Sequence, residues 1–215
     1  MKLPWKSRTR TSPPSPEEPP VEVAPCSATH PSPGLEAVLR GCQRGDALRV
    51  LDLGPALPEN IEILSGFATR IQVVDVMRKS FDANQAIHYL GTLVPEHKAT
   101  FHLVFLWDYL NYLSPDQGAA LVEAVAPLCC PDARCLAMVY ASETMPAVPQ
   151  KYRIVDENHL TYEWSTTEVQ GAPQMTPAAV EHVLAGFSIE HAFVLRSGVR
   201  EHVAVRDVAA SKAKS

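Results

Sequence analysis

Four stretches of the 215-residue chain carry side chains whose type and order could bind and position a ligand. The first is Val50 to Pro58, VLDLGPALP, where a near-continuous apolar run closes on Asp52, Gly54, Pro55 and Ala56. Gly54 lets the backbone turn sharply and come close to a ligand, and the start of the helix expected beyond it favours an anion. The second is Asp75, with Val76 next to it, 21 residues after Gly54 at the end of IQVVDV. A carboxylate at such a strand end can accept both hydroxyl hydrogens of a ribose. The third is Asp108 with Tyr109, directly after FHLVFLW. The fourth is the long segment beyond residue 141, with Glu143, Tyr152, His159, Tyr162 and Trp164. Long loops in compact domains often cover active sites, so Glu143 and Tyr152 of this segment are candidate substrate contacts, together with Tyr112 shortly after the third stretch. The aromatics of that segment suit packing against a sheet equally well.

Other chemistries find no support. No Glu-x-x-His or His-x-x-x-His pair is present, and Cys129, Cys130 and Cys135 lack the paired C-x-x-C spacing of a zinc site, so no metal is expected. His182, His191 and His202 fall in the terminal helix and hairpin and read as packing. The five cysteines read as small apolar side chains in a reducing compartment, with redox sensing by Cys129 and Cys130 as the sharper alternative. No catalytic residue is assigned.

The elements that must position these residues follow from periodicity. Leu48 to Leu53, Ile71 to Val76, Phe101 to Trp107 and Cys135 to Ala141 are apolar runs of the kind buried on both faces of a parallel sheet. Helices are expected from about Pro58, over residues 78 to 90, and after Ser114. There Pro115 opens the helix, Gln117 completes a capping box, and Leu121, Ala124, Val125 and Leu128 form one stripe. Thr176 and Pro177 start another helix. FSIEHAFVLR and VREHVAVR, joined at Ser197 and Gly198, form a closing hairpin. The expected fold is α/β: doubly wound, with a mostly parallel sheet and a C-terminal antiparallel hairpin. In such sheets ligands bind beyond the carboxyl ends of the strands, where all the acids named above fall.

Over residues 35 to 206 the chain resembles the class I S-adenosylmethionine-dependent methyltransferases. VLDLGPA resembles the family's first motif, IQVVDV the acidic end of its second strand, and FHLVFLWDYLNYLSPDQGAALVEAVAPL its fourth strand and following helix. The closing hairpin is similar to the family's reversed sixth and seventh strands. The resemblance implies a Rossmann-like methyltransferase fold and S-adenosylmethionine as cofactor. It implies that Asp52 and Gly54 lie beside the methionine part, that Asp75 binds the ribose hydroxyls, and that Asp108 and Tyr109 border the methyl donor. The implied cofactor set is Asp52, Gly54, Pro55, Ala56, Asp75, Val76, Asp108 and Tyr109. Methyl transfer is then to a small-molecule acceptor.

Two departures carry an alternative, a noncatalytic methyltransferase-like binding protein. The loop keeps one glycine, followed by a rigid proline, where the family usually has two or three glycines. Only IHYLGTL, residues 87 to 93, is available as the family's third strand. A nicotinamide oxidoreductase ranks below both, since G-x-G-x-x-G is absent.

Composition sets the frame. Nine of the 19 prolines and none of the 10 glycines lie in residues 1 to 33, which read as a disordered proline-rich tail. Residues 34 to 206 read as the domain and 207 to 215 as a flexible end. The net charge is -5, but residues 35 to 206 hold 13 basic and 20 acidic residues, which argues against a nucleic-acid partner. No run approaches the roughly 20 apolar residues of a spanning helix, and prolines follow the basic start, so a cytoplasmic protein with no membrane partner is expected.

Overall fold

The computed structural model describes residues 29–43, 45–76, 83–97, 100–163 and 167–207. Of the expected tail over residues 1 to 33, residues 1 to 28 lie outside these, as do residues 208 to 215 of the expected C-terminal end at 207 to 215. Order begins before residue 34: β1 (Thr29–Pro31) pairs antiparallel with a later strand, and Ser32 caps α1 (Pro33–Leu39). The tail boundary at residue 33 is thus corrected, because the backbone of residues 29 to 31 finds a strand partner that local composition does not reveal.

The core elements follow in order: β2 (Leu48–Asp52), α2 (Pro58–Leu64), β3 (Ala68–Val73), α3 (Ala83–His97), β4 (Phe101–Trp107), a 3₁₀ turn (Tyr109–Tyr112), α4 (Pro115–Val125) and β5 (Cys129–Tyr140). An insert follows, with β6 (Thr144–Pro146), β7 (Lys151–Asp156), β8 (His159–Glu163) and β9 (Val169–Gly171). Then come α5 (Pro177–Val183), β10 (Phe187–Val194) and β11 (Val199–Arg206). The main sheet has the order β10-β11-β5-β4-β2-β3. Its strands β3, β2, β4 and β5 run parallel, while β11 is antiparallel to both β5 and β10. The sheet is thus mixed, with four parallel strands and an antiparallel pair at one edge, in line with the mostly parallel α/β plan the sequence predicts.

Local signals placed the starts of α2, α4 and α5. Ser114 Oγ accepts from the Gln117 N–H while Gln117 Oε1 accepts from the Ser114 N–H, a complete capping box. Thr176 caps α5, and Pro58 opens α2. Gly198, at φ +80°, supplies the left-handed residue of the β10–β11 turn.

Three expectations need correction. IHYLGTL is not the third strand but the middle of α3, so the described sheet ends at β3. Its burial is helical, with Ala86 and Leu90 inside and Ile87 and Leu93 flanking them. The second strand ends at Val73, not Val76, which leaves Asp75 in the connection beyond it. The long segment after β5 is not irregular: β7 and β8 form a three-stranded sheet with β1, and β6 pairs with β9.

Two asparagines knit these layers by standing in for peptide groups. Asn60 of α2, buried, donates to the Tyr152 carbonyl at 3.0 Å and accepts from the Ile154 N–H at 2.7 Å. Asn111 donates to the Met138 carbonyl at 2.9 Å and accepts from the Tyr140 N–H at 2.9 Å. Each carboxamide supplies the donor and acceptor that an adjacent strand would offer to residues i and i+2. For Asn111 this happens where β5 runs past the end of β4, whose last partner on β5 is Ala137.

On β11, adjacent side chains face opposite layers. Glu201 reaches α1, accepting from Ser32 Oγ at 2.5 Å and from the Gly34 N–H at 2.7 Å. His202 is 3% exposed, and neither ring nitrogen has a partner among the described residues. Burial, aided by the Arg200 charge, pushes its pKa down to about 4. The unfolded chain therefore takes up a proton below about pH 6.5 that the folded protein refuses until about pH 4, so stability falls with pH across that window. His202→Leu removes two unsatisfied nitrogens and is expected to stabilise by about 1–2 kcal/mol at neutral pH. Its advantage over the parent should widen from pH 6.5 to 4 in urea titrations. A constant difference would show that His202 is not held neutral.

Candidate functional site

The carboxyl ends of the parallel strands meet the β5–α5 insert around a cavity of about 980 Å³. One side is formed by Pro55, Asp75, Tyr109 and Tyr112, at the ends of β2, β3 and β4. The other is formed by Met145 to Lys151 and Gln170 to Pro173 of the insert, apart from Pro146 and Ala172. Tyr112 holds the two sides together, its hydroxyl lying 3.1 Å from the Pro146 carbonyl and 2.9 Å from that of Val148. Its hydroxyl hydrogen is therefore committed to the insert. Tyr109 is almost wholly buried although it lies on the wall, and desolvation raises its phenol far above the ordinary range, so it is neutral.

Pro55, Asp75, Tyr109 and Tyr112 are the residues of the expected site that the fold brings onto this wall. Val76 is buried, Ala56 and Glu143 are exposed, and none of the three lines the cavity. Trp164 lies outside the described residues. Tyr152 is corrected from substrate contact to core pillar. The alternation of β7 turns it inward, 3% exposed, and its ring stacks on Trp107 with centroids 5.5 Å apart and planes 4° apart.

Asp52 and Gly54 belong to a closed cluster. Asp52 Oδ1 accepts from the Gly54 N–H at 2.8 Å and from Trp107 Nε1–H at 2.6 Å. Burial pushes the carboxyl up to about 6 against the lowering effect of these bonds. Trp107 ends β4 with φ +50°, a left-handed conformation rare for a bulky residue, and its ring also stacks on Phe105. The indole fills the space over Gly54: a Cβ there would lie 2.7 Å from Trp107 Nε1 and 2.9 Å from Asp52 Oδ1. The glycine is thus required by a side chain of the same chain. Gly54→Ala must displace either the indole or the carboxylate, and about 2 kcal/mol of stability is expected to go with it, as in other overpacked cores. Urea unfolding checks this, and an unchanged midpoint would mean the indole is not packed on Gly54.

Asp108 is fully buried behind Tyr109. Its Oδ2 accepts from the Gln150 N–H at 3.2 Å and from the Tyr140 hydroxyl at 3.3 Å, and Gln150 Nε2 donates to that hydroxyl at 2.8 Å. Burial outweighs these bonds and raises the carboxyl to about 7. Gln150 is on the cavity wall and Asp108 is not.

Sequence reasoning missed Trp107, Asn111 and Gln150. Trp107 read as the last apolar residue of a strand; its left-handed backbone and its contact with Gly54 have no local signature. The described residues contain no group of three or more His, Cys, Asp or Glu that could hold a metal, and no helix long and apolar enough to cross a membrane.

No family model and no curated protein sequence matches the chain. Several solved structures are similar in fold. An S-adenosylmethionine-dependent methyltransferase from Mesorhizobium loti is 18% identical over 81% of this chain and 96% of its own, with a TM-score of 0.49. The 1,6-didemethyltoxoflavin-N1-methyltransferase of Burkholderia thailandensis, solved with 1,6-didemethyltoxoflavin and S-adenosylhomocysteine, is 17% identical over 81% of this chain and 76% of its own, with a TM-score of 0.48. At such identity the likeness carries nothing about this chain's ligand or reaction.

Proposed function

We propose that the cavity binds S-adenosylmethionine and that the protein transfers its methyl group to a small-molecule acceptor. The observation that supports this reading is the cavity itself. It opens beyond the carboxyl ends of the parallel strands, where doubly wound sheets bind ligands, and has Asp75 on its wall at the place of a ribose-binding acid. Its volume is at the top of the roughly 300–1,000 Å³ range of small-ligand sites, enough for a nucleoside and a second small molecule together.

The fit to the cofactor is uneven. The nucleoside half has a carboxylate to receive it. The methionine half, which the family resemblance puts beside Asp52 and Gly54, has no seat there, since Asp52 is engaged by Trp107 and the space over Gly54 is filled by the indole. When bound, the cofactor supplies an electrophilic methyl on sulfur; this chain's residues supply position, through Tyr109 and Tyr112, and exclusion of water, through the insert. Proximity and alignment are the main sources of acceleration for such a displacement.

The filled space over Gly54 favours a second reading, a noncatalytic protein that binds a nucleoside ligand in the same cavity. Both readings go with a small-molecule rather than a nucleic-acid partner and with a cytoplasmic protein, in keeping with the acidic balance of residues 35 to 206 and the buried thiols of Cys129 and Cys135. The test is calorimetric titration with S-adenosylmethionine and S-adenosylhomocysteine. Binding of either is the expected result, and no heat at millimolar ligand would sink the cofactor reading.

A further inference from the structure

The obstruction over Gly54 has a consequence for ligand class. We infer that the site recognises the nucleoside half of its ligand alone, so that the amino-acid arm of S-adenosylmethionine adds nothing to affinity and a nucleoside with a short, uncharged 5′ substituent binds as well. This rests on the cofactor reading above.

Three observations carry it. First, sterics: a Cβ on Gly54 would lie 2.7 Å from Trp107 Nε1, so on the side of that Cβ the indole already takes the space a ligand chain would need. Trp107 is fixed from three sides, by its bond to Asp52, by Phe105 and by Tyr152. Second, charge: an amino-acid arm carries an ammonium and a carboxylate, and from Asp52 to Glu59 the chain offers no cation to the latter. The seven-residue α2 is too short to serve as an anion seat, its Leu57 cap makes no side-chain bond, and its first turn already holds Glu59, paired with Arg153 at 2.6 Å. The Asp52 carboxylate that could meet the ammonium is buried and accepts from two N–H groups. Third, the place of the cavity: its wall includes Pro55, Asp75, Tyr112 and Gln150 but neither Asp52 nor Gly54. Asp75 and Lys151 are the charged residues on that wall, which is otherwise neutral.

The experiment compares two ligands that differ in the arm, 5′-methylthioadenosine and S-adenosylhomocysteine, on the full chain. The inference expects dissociation constants within about threefold of each other, where a seated charged arm would separate them by about tenfold or more. Trp107→Gly removes the indole and relieves the left-handed backbone. It is expected to tighten S-adenosylhomocysteine by about tenfold while leaving 5′-methylthioadenosine unchanged. Trp107→Phe, which keeps a ring, should show no such gain. Should Trp107→Gly fail to fold, the parent ratio still decides. A parent preference for S-adenosylhomocysteine of more than about threefold overturns the inference and leaves the cofactor reading intact. Absence of binding by both ligands overturns the cofactor reading, and the inference with it.

Discussion

Replacing Asn111 by alanine lowers the stability of the fold by about 3 kcal/mol, because it strands two buried backbone groups at once. The Tyr140 N–H loses its acceptor and the Met138 carbonyl loses its side-chain donor, just where β5 outruns β4. An unsatisfied buried polar group costs about 1–3 kcal/mol, far more than the net worth of the bond that satisfied it. The expected signature is a lower urea midpoint with an unchanged slope. Asn111→Asp separates hydrogen bonding from shape: a carboxylate can accept from Tyr140 N–H but meets the Met138 carbonyl with a second acceptor, so it should not rescue. A loss below about 1 kcal/mol for the alanine variant, or rescue by aspartate, would refute the peptide-mimic role.

Asp75→Ala weakens 5′-methylthioadenosine and S-adenosylhomocysteine alike, by about 2–3 kcal/mol or roughly 30- to 150-fold, through loss of two ribose hydrogen bonds to a charged acceptor. Asp75 is the residue of the expected cofactor set that combines a position past a parallel strand end, a place on the cavity wall and a negative charge. Asp75→Asn keeps one acceptor and should fall between the two. Calorimetry on the three proteins reads the effect. Equal affinity in parent and alanine variant would show that Asp75 does not hold the ribose, while equal losses for both ligands would tie the effect to the half they share.

Burial and not composition sets the charge state of the site's other acids. Asp52 and Asp108 hold protons to about pH 6 and 7 when folded, and release them near pH 4 when unfolded. The folded protein then binds more protons between those values, so these two groups make stability fall as pH rises from about 4 to 7. They oppose His202 over part of the same range. A pH profile of the His202→Leu variant would therefore expose the carboxylate slope that the histidine partly cancels.

Much of the architecture is legible along the chain because it is written in short periods. The near-continuous apolar runs at Phe101–Trp107 and Leu48–Asp52 announce strands that are largely buried. The Ser114-x-x-Gln117 box and the Thr176-Pro177 start encode helix ends within four residues. IHYLGTL shows the limit of that legibility: seven residues of mixed character suit either state in isolation, and only the burial of Ala86 and Leu90 on one stripe makes them helical. The insert was opaque for a related reason. Its strands are three to six residues long, and β8 is stabilised by pairing with β1, more than a hundred residues earlier in the chain.

The chain by itself determined the main strands of the sheet, the starts of several helices and the strand ends at which acids gather, since each depends on residues a few positions apart. Only the tertiary structure decided what those acids do. Asp75 stays on a cavity wall, whereas Asp52 and Asp108 are drawn into the core. Gly54, expected to clear a path for a ligand, instead makes room for Trp107, whose indole meets Asp52 across 55 positions of sequence. No local period or composition encodes such a contact. It arises when β4 is laid against β2 and a left-handed turn at its end swings the ring over the neighbouring strand, and with that the space for a ligand is set.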